Sequence, residues 1–392
     1  MRNFDLYNPT YFVFGRDTQR QVGDLTRRFG GTKALIHYGG GSVVRSGLLE
    51  ATKASLDAAG IAWVELGGAQ PNPRSGLVYE GIELCRRESV DFVLGIGGGS
   101  AIDSAKAIAA GARYDGDFWD LYSGKAPYVD ALPKGCILTF PATGTEGSNS
   151  AVITHEAENL KRGVRSDLNR PQFAILNPEL TYTLPPEQTA FGIADMMAHI
   201  FERYLTNTQD VDLSDRLCEG VLQGILKAAP VAMARPDDYE ARAELMWAGT
   251  LAHNGQLGVG REEDWGSHNI GHELSAAYGT AHGATLSVIM PHWMRYTLPG
   301  HELRYAQMAM RVFGCQMDFD HPERTALEGI DRLQAFWRSI GLPLTMTELG
   351  VDPSDIPMLT QKAKCDERGL LGAFVPLTKA DIESILRASY EV

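Results

Sequence analysis

Two glycine-rich segments constrain the fold more than any other feature of the sequence. Gly39–Ser42 and Gly97–Ser100 both read Gly-Gly-Gly-Ser, and they follow the apolar runs Ala34–Tyr38 and Phe92–Ile96. The second segment leads into Ala101–Gly111, where apolar residues recur at the spacing of a helix. A strand, a glycine loop and a helix N-terminus together bind phosphate well, since glycine permits close backbone approach and free N–H groups attract negative charge. Glycines that serve the turns alone remain the alternative.

The first half of the chain continues this alternation. Further strand-like runs at Ile61–Leu66 and Ile137–Phe140 are separated by helical patterns at Leu48–Ala59 and Gly76–Glu88. Alternating strands and helices predict a Rossmann-like α/β domain, with a parallel sheet that is covered by helices on both faces.

Tandem prolines at residues 185 and 186 mark a change of pattern, because proline interrupts regular hydrogen bonding. Helical patterns dominate the rest, at Thr189–Leu205, Asp215–Ala229, Tyr239–Asn254, His268–Tyr278, Glu302–Phe313 and Pro322–Ile340. The sequence therefore predicts an α/β domain over residues 1–186 and an all-helical domain over residues 187–392.

Charge and cysteine content limit the kinds of partner and the cellular compartment that we expect for this chain. Its 392 residues carry a net charge of −13, which argues against a nucleic-acid or anionic-membrane surface. No uninterrupted apolar stretch approaches the length of a membrane span, and the first residues lack the apolar core of a secretory signal. The five cysteines show no C-x-x-C spacing, so we expect free thiols in a cytoplasmic protein.

A cluster of histidines and one carboxylate lies in the helical half. Asp195 and His199 are four residues apart and share one helix face, and His268 and His272 repeat that spacing, with His282 soon after. Imidazoles and a carboxylate on helical faces can converge on a divalent metal, although a lone histidine on a helix is more often structural. The acidic residues Glu262–Asp264 are expected to form a solvated turn.

These motifs together resemble the iron-containing (group III) alcohol dehydrogenase family over essentially the whole chain. The matching segments are Gly97-Gly98-Gly99-Ser100-x-x-Asp103-x-x-Lys106, Pro141-Ala142-Thr143-Gly144-Thr145-Glu146, Asp195-x-x-x-His199 and His268-x-x-x-His272 with His282. The sequence looks closest to the branch of NADP-dependent butanol dehydrogenases and aldehyde reductases.

The resemblance implies a dinucleotide-binding N-terminal domain, a metal-binding catalytic C-terminal domain and a homodimer that pairs around Tyr11–Phe14. It implies that one Fe²⁺ or Zn²⁺ is ligated by Asp195, His199, His268 and His282, and that His272 takes part in proton transfer. The positions that match the family's cofactor site are Asn72, Gly98, Gly99, Ser100, Asp103, Thr139, Thr143, Ser148, Lys161 and Leu184.

One departure from the family pattern bears on the cofactor. Members that prefer NAD carry an Asp after the first strand, where it binds the ribose and repels a 2′-phosphate. Here Gly40 occupies that place, and Gly40, Gly41 and Ser42 offer N–H groups and a hydroxyl instead. We therefore expect NADP(H) rather than NAD(H). The resemblance implies an enzyme that interconverts primary alcohols and aldehydes, mainly by reducing aldehydes.

Three other interpretations remain. An NAD-dependent polyol dehydrogenase or a dehydroquinate-synthase-like lyase would use the same fold, but the lyase needs a strongly basic substrate pocket that is not seen near the histidines. A non-catalytic nucleotide-binding protein would not need the complete set of four metal-ligating side chains that the resemblance implies.

Overall fold

The structure, a computed structural model, describes residues 1–158 and 160–390. Its contacts divide the chain into two compact units, Tyr7–Thr183 and Leu184–Val392, and Met1–Leu6 belongs with the second. The first unit contains a six-stranded parallel sheet and the second is helical. The predicted fold class is therefore confirmed.

The strands of the first unit form two sheets. Their bounds are β1 Tyr11–Phe14, β2 Lys33–Tyr38, β3 Ala62–Leu66, β4 Phe92–Gly97, β5 Lys134–Leu138, β6 Ser150–His155, β7 Leu160–Arg165 and β8 Phe173–Leu176. The parallel sheet has the order β1-β8-β5-β4-β2-β3, and β6 pairs with β7 as an antiparallel hairpin.

The helices follow the division into units. The α/β unit holds α1 Val22–Arg28, α2 Gly41–Arg45, α3 Leu48–Ala58, α4 Ser75–Glu88, α5 Gly99–Ala112 and α6 Trp119–Ser123. The helical unit holds α7 Pro186–Tyr204, α8 Asp212–Ala234, α9 Tyr239–His253, α10 Gly266–Tyr278, α11 His282–Thr297, α12 Glu302–Phe313, α13 Pro322–Ser339, α14 Ile356–Lys362 and α15 Lys379–Ala388. Short 3₁₀ turns lie at Thr18–Gln21, Asp167–Asn169, Pro178–Thr181, Gln256–Gly258 and Pro353–Asp355.

Alternating side chains of the parallel strands fill a core on each face of the sheet. Leu35 and Val93 pack with residues of α4 and α5, whereas Ala34, Ile36 and Leu94 pack with residues of α1 and α3. Successive strand residues point to opposite faces, so both faces are buried and the strands are almost wholly apolar.

The order of the strands brings the two glycine segments together. From β2 the chain passes to β3 on one side and then to β4 on the other, so the order in which strands are added reverses between the parallel strands β2 and β4. Gly39 N donates to Ile96 O at 3.4 Å across this pair. Open α/β sheets bind ligands beyond the carboxyl ends of strands at such a reversal.

The helical unit is organised around buried aromatic residues. Trp293, Trp337, Tyr204 and Tyr305 are fully buried among apolar side chains of α7, α11, α12 and α13. Within residues 1–158 and 160–390, one helix, α8, is long and apolar enough to cross a membrane by length and composition, a test that core helices also pass. It contributes buried residues such as Leu222 and Ile225 to this core.

Candidate active site

The glycine turn after β4 requires glycine for its backbone conformation and its packing. Gly97 has a φ of +152°, in a region that side-chain-bearing residues rarely adopt. A Cβ on Gly98 would lie 2.9 Å from the Cβ of Phe140, and one on Gly99 would lie 2.8 Å from Thr143 Oγ1. The turn is therefore closely packed against the loop that follows β5.

The N-terminus of α5 presents unbonded backbone donors at this turn. The first helical hydrogen bond runs from Ile102 N to Gly98 O at 3.2 Å, so the N–H groups of Gly99 and Ser100 precede it. Thr139 N donates to Gly97 O at 2.9 Å on the neighbouring strand end. The structure thus brings together Gly98, Gly99, Ser100, Thr139 and Thr143 from the predicted cofactor set.

The segment after β2 carries the expected carboxylate-free turn. Gly40 has extended backbone with a φ of −78°, and a Cβ there would meet nothing within 4 Å. A Cβ on Gly41 would lie 2.3 Å from Arg45 Nη1, so an exposed guanidinium stands beside the turn of Gly40, Gly41 and Ser42.

Asn72 and Lys161, two other predicted cofactor residues, contact each other. Lys161 Nζ donates to Asn72 Oδ1 at 2.9 Å, and Asn72 adopts a left-handed backbone with a φ of 54°. Leu184, predicted for the same site, is the first residue of the long segment of the helical unit, and its role stays a prediction.

Asp103 and Ser148 have contacts that shape the loop between β5 and β6. Asp103 accepts hydrogen bonds from the Thr145 hydroxyl and from Val152 N, the latter at 2.9 Å. Ser148 Oγ exchanges 3.3 Å hydrogen bonds with the backbone of Ser150. Burial raises the pKa of Asp103, while the nearby Lys106 charge opposes that rise. Their predicted contacts with a cofactor remain predictions.

Lys106 fixes the same loop from inside the α/β unit. Its fully buried ammonium donates to Thr145 O and Oγ1 at 2.7 Å, to Ser150 O at 2.8 Å and to Ser148 O at 3.2 Å. Burial lowers the pKa of Lys106 to about 8. One cation thus holds three residues of the loop that also carries Thr143.

Three of the four predicted metal ligands converge in the helical unit. One ligand atom each from Asp195 on α7, His268 on α10 and His282 at the start of α11 lies within 4.8 Å of the others. Asp195 Oδ1 is 3.9 Å from His268 Nε2 and 3.9 Å from His282 Nε2. Among the described residues this buried oxygen has no hydrogen-bond partner.

His199, the fourth predicted ligand, lies beside this group. Its Nδ1 donates to the backbone carbonyl of Asp195 at 2.8 Å, so its Nε2 is the nitrogen left for a metal. Its ring centroid is 4.5 Å from that of His268. The site geometry is compatible with the prediction for His199, which the three-residue cluster does not include.

His272, the predicted proton-transfer residue, is half-buried on α10 one turn after His268. Its ring centroid lies 4.8 Å from that of His282 and 6.5 Å from that of His268. It is therefore close to the ligand cluster, and its part in proton transfer stays a prediction.

Glu202 is a buried site residue that sequence reasoning missed. It lies seven residues after Asp195 on α7 and is fully buried. Its carboxylate accepts hydrogen bonds from the side chains of Ser267 and His268 and from the backbone of His268 and Trp265. The sequence did offer a signal for Glu202, because its spacing from Asp195 and His199 places all three residues on one helix face.

The acidic segment Glu262–Asp264 is not a solvated turn throughout, because Asp264 is buried. Asp264 accepts hydrogen bonds from the backbone N–H groups of Gly266 at 2.5 Å and of Ala373 and Phe374 at 2.7 Å. Burial, together with the Glu202 charge, raises the pKa of Asp264 to about 7. Its role is to hold the backbone at the start of α10.

The donor set fits a divalent metal on chemical grounds. A buried carboxylate oxygen with no hydrogen-bond partner among the described residues is costly unless a cation neutralises it. Imidazole nitrogens with one carboxylate and no thiolate suit Fe²⁺ or Zn²⁺.

Profiles of a known protein family match the sequences of both units. A profile described as "Iron-containing alcohol dehydrogenase" matches residues 9–178, and one described as "Fe-containing alcohol dehydrogenase family, C-terminal" matches residues 189–390.

Individual proteins match over almost their whole length. The probable NADH-dependent butanol dehydrogenase 2 of Bacillus subtilis is 42% identical over 99% of this chain and 100% of its own. The NADPH-dependent aldehyde reductase YqhD of Escherichia coli is 36% identical over 94% of each chain. The crystal structure of NADH-dependent butanol dehydrogenase A from Thermotoga maritima aligns with a TM-score of 0.96 and 38% identity, covering 100% of this chain and 99% of that one.

Replacing Lys106 by Met should destabilise the α/β unit. The substitution leaves buried oxygens of Thr145, Ser148 and Ser150 without their donor, at a cost of about 3 kcal/mol. Chemical unfolding would measure this loss, and Lys125→Met, at a lysine whose side chain is 74% exposed, is the control. Equal unfolding free energies for the two variants would contradict the structural role of Lys106.

Proposed function

Because the chain belongs to the iron-containing alcohol dehydrogenase family and is an alcohol and aldehyde oxidoreductase, we propose that it reduces aldehydes to primary alcohols with NADPH and catalyses the reverse reaction. The family implies a divalent metal and a nicotinamide cofactor. The choice of NADP(H), the direction and the residues involved are the content of this proposal.

The convergence of Asp195, His268 and His282 is the observation that carries the proposal. These residues, with His199, would hold one Fe²⁺ or Zn²⁺, and the residue types do not choose between the two. A metal bound there would supply a Lewis acid for the alcohol or aldehyde oxygen. The ligands come from α7, α10 and α11, so the packing of these helices sets the site.

His272 is the side chain proposed to move the proton. A ring nitrogen of its half-buried imidazole would donate a proton during aldehyde reduction and accept one during alcohol oxidation. The nicotinamide would supply the hydride, and the protein's part is to orient it. The packed turn of Gly98 and Gly99, with the N-terminus of α5, is the proposed pyrophosphate site.

The turn after β2 supports the choice of NADP(H). It has no carboxylate at Gly40, and the Arg45 guanidinium beside Gly41 adds a positive charge to the hydroxyl of Ser42. A cation and N–H groups favour the 2′-phosphate of NADP(H) over the hydroxyl of NAD(H). Since the similar proteins carry names with either cofactor, these residues are the basis of the proposal.

The compartment is proposed to be the cytoplasm. All five cysteines are free thiols, four of them buried, and burial raises the pKa of the Cys85 thiol to about 12. Unpaired thiols are the usual state in a reducing compartment.

The main test follows NADPH oxidation with butanal, with and without a metal chelator. We expect turnover that the chelator abolishes. We expect His268→Ala to bind the metal much more weakly, so that it loses both its metal during purification and its turnover, because a ligand is gone. His321→Ala, at a histidine whose side chain is 50% exposed, should keep both. Full metal content and activity in His268→Ala would contradict the ligand assignment.

Cofactor preference is tested by Gly40→Asp against Gly40→Ala. Neither substitution is blocked at its first side-chain atom, since a Cβ at Gly40 meets nothing within 4 Å. The added carboxylate should lower the ratio of kcat/KM for NADPH to that for NADH by about tenfold or more, roughly 1.4 kcal/mol, through repulsion of the 2′-phosphate. Gly40→Ala should leave the ratio near that of the unmodified protein. An unchanged ratio in Gly40→Asp would count against NADP(H) as the preferred cofactor.

A homodimer that pairs through β1 is also proposed. This strand is at one edge of the sheet, and Tyr11 is 44% exposed. An edge strand offers backbone groups to a second copy. Tyr11 N and Gly15 N donate toward β8, so the amide of Phe12 points toward the outer edge.

Phe12→Pro removes one outward amide of β1 and should convert the dimer to monomer, as measured by light scattering after size exclusion. Glu65→Pro, at an outward amide of the opposite edge strand β3, should leave the dimer intact. A dimer that persists in Phe12→Pro would exclude pairing through β1.

A further inference from the structure

We propose that Glu202 is a positioning residue of the metal site, whose buried carboxylate fixes the tautomer and orientation of His268. This inference rests on the proposed function, because it takes His268 as a metal ligand. None of the sequence motifs assigns Glu202 such a role. The evidence for the role is the hydrogen-bond geometry of the Glu202 carboxylate.

The Glu202 carboxylate is surrounded by donors. Oε1 accepts from Ser267 Oγ at 2.6 Å, from His268 N at 3.0 Å and from His268 Nδ1 at 2.9 Å. Oε2 accepts from Trp265 N at 2.7 Å. The backbone N–H groups of His268 and Trp265 can only donate, one to each carboxylate oxygen, so both oxygens of Glu202 act as acceptors.

This arrangement decides which nitrogen of His268 carries a proton. A carboxylate that accepts from Nδ1 keeps the proton on Nδ1 and leaves the lone pair on Nε2. His268 Nε2 is the atom 3.9 Å from Asp195 Oδ1, in the cluster of ligand atoms. A carboxylate behind a ligand imidazole also raises the basicity of the coordinating nitrogen.

The same side chain connects two of the helices that carry ligands. Glu202 and Asp195 lie on α7, and the four bonds of Glu202 reach the first residues of α10 and the residue before it. That preceding residue, Trp265, has a left-handed backbone with a φ of 82°, which is unfavourable for a tryptophan and needs support. Glu202 therefore sets both the backbone position and the ring orientation of His268.

The chain offers a matched control in Glu219. It is also a buried carboxylate of the helical unit, and it accepts from Tyr204 Oη at 2.7 Å and from Arg216 Nη1 at 3.1 Å. Replacing either glutamate by glutamine removes one buried negative charge, but only Glu202 contacts a predicted ligand. General effects of removing a buried carboxylate should therefore appear in both variants.

The experiment measures the Kd of Zn²⁺ for the full-length apoprotein, by competition with a chromogenic chelator. Glu202→Gln should raise this Kd by about 10- to 100-fold, while Glu219→Gln stays near the unmodified protein. Thermal unfolding of the apoproteins reports stability separately. Equal Kd values for Glu202→Gln and the unmodified protein, or an equal rise in Glu219→Gln, would overturn the proposal.

A double-mutant cycle tests whether Glu202 acts through His268. In the His268→Ala background, Glu202→Gln should cause no further rise in the Kd, because the ring it positions is absent. An equal rise in both backgrounds would show that Glu202 acts by another route and would overturn the proposal.

A measurement on the unmodified protein covers the case in which Glu202→Gln does not fold. ¹⁵N chemical shifts of the Zn²⁺-loaded protein should show His268 protonated at Nδ1 and metal-bound at Nε2. The opposite assignment would falsify the positioning role. Failure of the unmodified protein to bind Zn²⁺ or Fe²⁺ would instead overturn the proposed metal site, and this inference with it.

Discussion

A buried carboxylate must be matched by donors or by a cation, and this requirement organises the core of the helical unit. Glu202 and Asp264 meet it with hydrogen bonds from side chains and backbone N–H groups at the start of α10 and from the loop at Phe374. Asp195 differs, because its Oδ1 has no hydrogen-bond partner among the described residues and faces imidazole nitrogens. The two satisfied carboxylates hold the backbone, whereas the third has one oxygen without such donors, which is costly unless a cation neutralises it.

The α/β unit solves a comparable problem with a buried cation. Lys106 brings a positive charge into the interior, and carbonyl and hydroxyl oxygens of residues 145–150 surround it. That loop follows β5 and lies next to the glycine turn after β4. This turn is at the point where the strand order reverses, between β2 and β4. A fixed loop beside a helix N-terminus offers preorganised donors and hydroxyls, which is the physical basis for the proposed dinucleotide site.

Much of the fold followed from periodicity, and the exceptions have physical reasons. The apolar runs that became β2, β3 and β4 and the helical patterns of α4, α5, α7 and α9 were predicted close to their observed bounds. The hairpin β6–β7 was missed because Ser150–His155 is polar in part and becomes a strand only through its partner. Helix α11 was missed since Gly283 and Pro291 interrupt the usual helix signals. Asp264 was misjudged because three consecutive acidic residues look solvated until their backbone partners are known.

The sequence by itself determined the family, the alternating first half, the helical second half and the residue types of the candidate site, because local spacing and glycine content express short-range constraints. Tertiary structure decided what depends on contacts between distant segments. It placed the two glycine turns at the point where the strand order reverses. It also put Asp195 Oδ1 3.9 Å from His268 Nε2 and from His282 Nε2. It also brought the Glu202 carboxylate to 2.9 Å from His268 Nδ1, a pairing across 66 residues that no local pattern specifies, since packing between helices decides it.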